Sequence, residues 1–174
     1  MVAYYNNADE VELYLNGESQ GVKKKEGEMM HVMWRLKYVP GELKAISRKN
    51  GEVVKEQIIK TTGEPAKIEL TADRTEIDAD GKDLSFVTVR VLDKDGNLVP
   101  RADNKINFKV EGSGFIAGVD NGYQASHEPF KANYRKAYNG MCLAIIQSNG
   151  TKGNIELKAK AEGLESDEIV INAK

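Results

Sequence analysis

Glu10-Val11-Glu12-Leu13-Tyr14-Leu15-Asn16-Gly17 decides the fold class. Val11, Leu13 and Leu15 alternate with Glu10, Glu12 and Tyr14, so every second side chain is apolar. That period of two predicts a strand with one buried face. Asn16-Gly17 then predicts a tight hairpin, because both residues tolerate positive φ. The same grammar repeats outward in both directions. Val2-Ala3-Tyr4-Tyr5 has the look of a strand before it. Met30, Val32, Trp34, Leu36 and Tyr38 share one face after it, opposite His31, Arg35 and Lys37. Pro40-Gly41 predicts the next turn, Leu43 and Ala45 continue to Asn50-Gly51, and Val53, Val54, Ile58 and Ile59 close this half.

Thr61-Thr62-Gly63-Glu64-Pro65 is polar and carries Gly and Pro, so it predicts a linker. Strands resume with Ile68 and Leu70, with Val87, Val89 and Val91, and with Ile106, Phe108 and Val110. They end with Ile155, Leu157, Ala159 and Ala161, then Ile169 and Ile171. Turn signals recur every ~8 to 12 residues, the spacing of antiparallel sandwiches. The expectation is an all-β chain of two sandwiches in tandem, residues 1–63 and 64–174. The first would lack its opening strands, since Met1 leads straight into a strand. Phe130, Tyr134 and Tyr138 are spaced by four behind Pro129, which leaves a short helix from Pro129 to Tyr138 open.

The 174 residues are 40% hydrophobic and 30% charged with a net charge of -2, a globular composition. That charge gives no reason to expect nucleic acid as a partner. Lys23, Lys24 and Lys25 beside Glu26 and Glu28 are read as a solvated hairpin tip. No apolar run reaches the roughly 20 residues that span a bilayer, and no signal-peptide pattern opens the chain. The single cysteine, Cys142, lies in an apolar run and is read as a small core residue.

Candidate chemistry is sparse. Asp78-Ala79-Asp80-Gly81 and Asp93-Lys94-Asp95-Gly96-Asn97 resemble pieces of calcium loops but lack the ligand order of an EF-hand, and Asp-Gly is ordinary hairpin chemistry. His31, His127 and Cys142 are too few and too scattered for zinc. No phosphate loop, dinucleotide fingerprint or nucleophile elbow occurs, so no cofactor or metal is expected. Trp34 could serve as a sugar platform, but it shares a face with Val32 and Leu36 and is read as core.

Residues 112–146 are the most particular stretch, with Gly112, Gly114 and Gly118, an Asp120-Asn121-Gly122 tip and a polar-aromatic excursion through Phe130. Asp120 and Glu128 are the best local carboxylate pair, yet no apolar pocket is evident that would raise one pKa for glycoside hydrolysis. The glycines are explained by turn geometry or close backbone approach. Asp120, Asn121, Tyr123, His127, Tyr134 and Tyr138 therefore stand as candidates for contact with carbohydrate or a neighbouring domain, with no catalytic, cofactor or metal residue among them.

Tyr4 to Gly21, with Asp9-Glu10-Val11-Glu12-Leu13 and Leu15-Asn16-Gly17 at its centre, resembles the signature of an immunoglobulin-like accessory domain. That domain follows the catalytic barrel in glycoside hydrolase family two β-galactosidases of the Bacteroides type. Trp34 through Tyr38 and on to Ala45 is similar to its second half. Glu64-Pro65-Ala66-Lys67-Ile68 resembles the entry into the C-terminal domain of those enzymes. Gly118-Val119-Asp120-Asn121-Gly122, Ser126, Glu128, Phe130, Arg135 and Asn139-Gly140 resemble the hallmarks of that domain.

The resemblance implies two immunoglobulin-like sandwiches whose partner is an upstream (β/α)₈ barrel of the same parent chain. It also implies a periplasmic or secreted parent that could be a homodimer. The family's catalytic glutamates lie in the barrel and map to no residue here. The expected role is non-catalytic support. The alternatives are a carbohydrate-binding module or a structural spacer of tandem domains.

Overall fold

The computed structural model describes residues 2–5 and 7–174. Met1 and Asn6 lie outside the described residues, and with them the readings placed on Met1 as a chain start and on Asn6 within the motif. The chain divides into two compact units, Met1–Thr61 and Thr62–Lys174. Every regular element among the described residues is a strand. Among the described residues no helix is long and apolar enough to cross a membrane.

In unit 1 the strands are β1 (Val2–Tyr5), β2 (Glu10–Leu15), β3 (Glu18–Lys24), β4 (His31–Trp34), β5 (Glu42–Lys49) and β6 (Glu52–Lys60). Four of them form one sheet in the order β3-β2-β5-β6, and β1 pairs with β4. Two-residue turns at Asn16-Gly17 and Asn50-Gly51 join β2 to β3 and β5 to β6, with φ +52° at both asparagines. This is the primed geometry that matches strand twist. Val11, Leu13, Val32, Trp34 and Ala45 form the core, joined by Leu36 and Leu43. Trp34 is only 3% exposed, so it is core and not a sugar platform.

Two expectations are corrected here. The strand through Trp34 was expected to run on to Tyr38, but β4 ends at Trp34 and Tyr38 is 74% exposed. Only Leu36 beyond it still reaches the core. Lys23 and Lys24, read as a hairpin tip, instead end β3, where Lys24 pairs with Glu10 at 3.6 Å. Lys23 reaches across to donate to the Met33 carbonyl at 2.7 Å.

Unit 2 begins with β7 (Lys67–Ala72), β8 (Glu76–Ile77), β9 (Leu84–Leu92) and β10 (Lys105–Gly112). It continues with β11 (Gly114–Asp120), β12 (Tyr134–Lys136), β13 (Met141–Ser148), β14 (Gly153–Lys160) and β15 (Asp167–Ala173). One sheet runs β12-β10-β14-β15-β8 and the other β11-β13-β9-β7. Their inner faces supply one core, including Val87, Val89, Val91, Ile106, Phe108, Ile146, Ile155, Leu157 and Ile171. Fully burying a side chain of this size stabilises by roughly 1.5–3 kcal/mol.

Among the described residues the strands pair antiparallel except where β15 meets the short β8, and an isolated parallel bridge joins Lys67 to Glu165. β7 is also stitched to the approach of β15, since the Ile68 amide donates to the Glu165 carbonyl and the Glu165 amide to the Ala66 carbonyl, both at 2.9 Å. The Leu70 amide donates to an Asp167 carboxylate oxygen at 2.8 Å.

The helix left open from Pro129 to Tyr138 does not form. Residues 129–133 are irregular and Tyr134–Lys136 is strand β12. The backbone acceptors of this stretch serve neighbouring strands instead: the Val119 amide donates to the Phe130 carbonyl and the Phe108 amide to the Asn133 carbonyl, each at 2.8 Å.

A shaped loop around a buried arginine

The excursion between β11 and β13 is built around one side chain. β12 pairs with β10 so that Arg135 stands opposite Ile106, and both face inward. The pattern of alternation thus carries a guanidinium, 1% exposed, to the rim of an apolar core. A charge in that position is tolerated only when paired and hydrogen-bonded. Arg135 Nη1 donates to the Glu128 carbonyl at 3.0 Å. Nη2 donates to Asn121 Oδ1 at 3.1 Å and stands 3.3 Å from Asp120 Oδ1. The Glu128 carboxylate lies 3.8 Å from Nε, close enough for charge attraction and too far for a hydrogen bond. Phe130 caps the assembly, its ring centre 5.2 Å from the guanidinium carbon.

Asn121 ties the tip down a second time. Its side-chain amide donates to the Lys136 carbonyl at 2.9 Å, and its Oδ1 also accepts from the Tyr123 amide at 3.0 Å. Glu128 accepts from the Lys136 amide at 3.2 Å. Both ends of the excursion are therefore clamped to β12.

The return to β13 is a third Asn-Gly turn. Asn139 has φ +52° and Gly140 φ +78°, with Tyr138 and Met141 bridged across it. Gly140 donates to the Ala102 carbonyl at 3.0 Å, and its own carbonyl accepts from Val91 at 2.8 Å. A Cβ at this position would run into the Val99 carbonyl. Of the glycines that open the stretch, Gly112 has φ +90°, while Gly114 is hemmed in by Ile155 and the Gln147 carbonyl.

The six candidate residues separate. Asp120, Asn121, Tyr123 and Tyr138 converge: the first two meet Arg135, and the two tyrosine rings stack with centres 4.8 Å apart and planes 22° from parallel. That pair is exposed, Tyr123 at 46% and Tyr138 at 41%. Tyr134 belongs to a different face, with Lys105 Nζ 3.9 Å from its ring centre. His127 is exposed on the excursion. Arg135 and Phe130 were absent from the candidate set. The signal for Arg135 was its place between Tyr134 and Lys136 in a two-residue alternation, which turns it inward.

The other acidic clusters are occupied by the chain itself. Asp93 accepts from the amides of Gly63, Asn97 and Asp95 at 2.9, 2.8 and 3.0 Å. The Gly63 amide foremost holds its carboxyl down at about 2. Asp80 accepts from the amides of Lys82 and Asp83, both at 2.8 Å, which lowers its pKa. These are Asx turns, in which backbone donors take the places a cation would fill. Among the described residues no three His, Cys, Asp or Glu side chains converge as a metal site. Burial pushes the Cys142 thiol up to about 12, the value of a core residue and not of a nucleophile.

Comparison with known proteins gives the shape a family. Residues 68–170 match the model of the glycoside hydrolase family 2 C-terminal domain 5, and residues 1–55 match a domain of unknown function, DUF4982. The whole chain is 55% identical to β-galactosidase BoGH2A of Bacteroides ovatus, of which it covers 20%. Over 121 residues, 68% of the chain, it is 35% identical to a putative β-glucuronidase of Formosa agariphila, covering 12% of that protein. A family 2 member from Bacteroides cellulosilyticus superposes with a TM-score of 0.93 at 38% identity, over 99% of this chain and 22% of that one. The chain spans about a fifth of the length of its full-chain relatives. It belongs to glycoside hydrolase family 2, as part of the C-terminal β-sandwich region of that family.

Proposed function

We propose that residues 1–63 and 64–174 are two non-catalytic accessory domains of a family 2 β-galactosidase, and that they support a catalytic barrel elsewhere in the same protein. The observation that carries this reading is the full-length match at 55% identity to a β-galactosidase of which the chain covers 20%. The local chemistry agrees. Asp120 and Glu128 both face the buried Arg135 guanidinium and are taken up in holding the loop, whereas glycoside hydrolysis needs two carboxyl groups flanking an open cleft. The test is an assay on aryl β-galactosides: the 174-residue chain should give no turnover, and the full-length protein should. Robust turnover by the short chain would overturn the proposal.

A second reading is favoured by the Tyr123–Tyr138 stack. Two exposed parallel rings on a clamped loop present a flat apolar surface beside the polar Asn121, which suits either a sugar ring or an apolar face of the barrel. Asp120, Asn121, Tyr123 and Tyr138 form this contact surface. Tyr134 sits on β12 against Lys105, and His127, exposed on the same excursion, is the next residue to test for contact.

A further inference from the structure

The two outer faces of the unit 2 sandwich are unlike. On one, Lys109 stands opposite Lys158 across the β10–β14 ladder and Glu111 opposite Glu156, so solvent meets charge. On the other, β13 is apolar without a break from Met141 to Ile146. Cys142, Ala144 and Ile146 fill the core, which turns Met141, Leu143 and Ile145 outward. Their neighbours extend this surface. Ile145 stands opposite Phe86 on β9, and Phe115 on β11 lies one pair further along the face, opposite Gln147. A sheet with one wet face alternates, whereas a strand covered on both faces reads as an apolar run. β13 has the second pattern, yet Phe86 is 39% exposed, Phe115 45% and Met141 37%.

This strip runs into the shaped loop. Met141 is bridged to Tyr138, whose ring stacks on Tyr123. On the β7 side it ends in polar groups, where Arg90 donates to Glu69 at 2.8 Å. An apolar middle with a polar rim is the anatomy of a protein interface.

We propose that this face of unit 2 seats another domain of the same longer protein, which lays an uncharged apolar surface across β13. The proposal rests on the reading of the chain as an accessory region of a family 2 protein, and it names the face that meets the rest. Size selects the occupant. Met141 to Ile145 across three adjacent strands makes a strip roughly 14 Å square. Even with the tyrosine stack, that is well under the ~800 Å² per partner of a free-standing complex, which disfavours a second copy. A domain tethered in the same chain needs less area, because the tether sets an effective concentration of about millimolar. Sugar is disfavoured by chemistry. Leu143, Ile145 and Phe86 offer no side-chain group to its hydroxyls, which would be buried unpaired.

Hydroxyl-radical footprinting of the full-length protein and of the 174-residue chain tests this, with oxidation of Met141, Phe86 and Tyr138 read by mass spectrometry. All three should be oxidised about fivefold more slowly in the full-length protein, since side chains at an interface core lose most of their contact with water. Phe86→Lys places a charge in the middle of the face. In the full-length protein it should return Met141 to the short-chain rate, and in the short chain it should shift the Tm by no more than about 2 °C, because the lysine head stays in water. Equal oxidation of the unsubstituted proteins overturns the proposal, and so does continued protection of Met141 in Phe86→Lys. Protection that appears in the short chain as its concentration rises assigns the face to a second copy, and protection on adding galactosides assigns it to sugar. Either result also overturns it. The turnover assay judges the family 2 reading separately: a full-length enzyme that is active while Met141 stays equally oxidised sinks this inference alone.

Discussion

Arg135 and Asn121 hold each other across 14 residues: the guanidinium donates to Asn121 Oδ1 at 3.1 Å, and the Asn121 amide returns to the backbone next to Arg135, at the Lys136 carbonyl, at 2.9 Å. The loop tip and the strand that anchors it are thus one mechanical piece, and the guanidinium is its centre.

Removing that centre should be severe. Arg135→Ala leaves the Asp120 and Glu128 carboxylates without their cation and opens space beside Ile106. A loss of about 1–3 kcal/mol in the urea unfolding of unit 2 is expected, because the Asp120 and Glu128 side chains left behind are 46% and 22% exposed and can be hydrated. Arg135→Lys should recover less than half, because an ammonium cannot reach the Glu128 carbonyl and Asn121 Oδ1 together. Full recovery by lysine would show that charge alone, and not the planar fork, holds the loop.

Gly140→Ala should cost more than a substitution at an open turn. Its φ of +78° is unfavourable for alanine, and its Cβ would meet the Val99 carbonyl. Gly163 has a similar φ of +73° and open space around it. The expectation is about 1 kcal/mol for Gly163→Ala and at least twice that for Gly140→Ala. Chemical denaturation of the two variants, compared with the parent, reads the difference.

Asp93 should shape the acid limb of stability. Its folded pKa of about 2 lies below the ordinary aspartate value near about 3.9, so its contribution is present above the unfolded value. It is lost as pH falls through the folded value. Thermal unfolding should show a Tm that declines from pH ~4 towards pH ~2 more steeply in the parent than in Asp93→Asn. The asparagine variant should also have the lower Tm at pH 7, since it no longer carries the charge that faces the Gly63, Asp95 and Asn97 amides.

Tyr123→Ala separates the two readings of the aromatic loop. If the stack receives sugar, titration with galactosides should show binding that the variant weakens about two- to tenfold, by analogy with other aromatic contacts worth about 0.5–1.5 kcal/mol. If the stack meets the barrel, the isolated chain should bind no sugar, and the variant should lower the Tm of the full-length enzyme.

Cys142 should resist thiol reagents in the folded chain at pH 8 and react within minutes in denaturant. It is 4% exposed and its pKa is pushed up to about 12. Fast labelling of the native protein would mean that β13 opens locally.

The strands were legible because burial on one face forces a two-residue alternation. Val87, Val89 and Val91, or Ile155, Leu157 and Ala159, leave no other reading, and all six are buried. The Asn16-Gly17 and Asn50-Gly51 turns were legible because positive φ restricts the choice of residue. The stretch around Arg135 was harder to read. Spacing of Phe130, Tyr134 and Tyr138 by four suggests a helical stripe, yet each ring has its own local partner: Arg135 for Phe130, Lys105 for Tyr134 and Tyr123 for Tyr138. Short-range spacing cannot reveal that the Phe130 and Asn133 carbonyls are claimed by Val119 and Phe108. Val53, Val54, Ile58 and Ile59 are all exposed on β6, and their adjacent pairs left inward and outward faces undecided in the alternation.

The stitch between β7 and β15 sets a schedule for synthesis. The first strand of unit 2 is hydrogen-bonded to the approach of its last, and the Leu70 amide finds its acceptor 97 residues later, at Asp167. Loop closure over that span precedes any reward from the contacts it allows. A ribosome must therefore extrude the chain through Ala173 before Ile171 and Ala173 can seal the core. Until then the Val-rich β9 and the Ile-rich β13 are on display to chaperones. Unit 2 thus folds after translation of its last strand and not during it, and pulse-labelled stalled chains ending before residue 165 should remain protease-sensitive throughout unit 2.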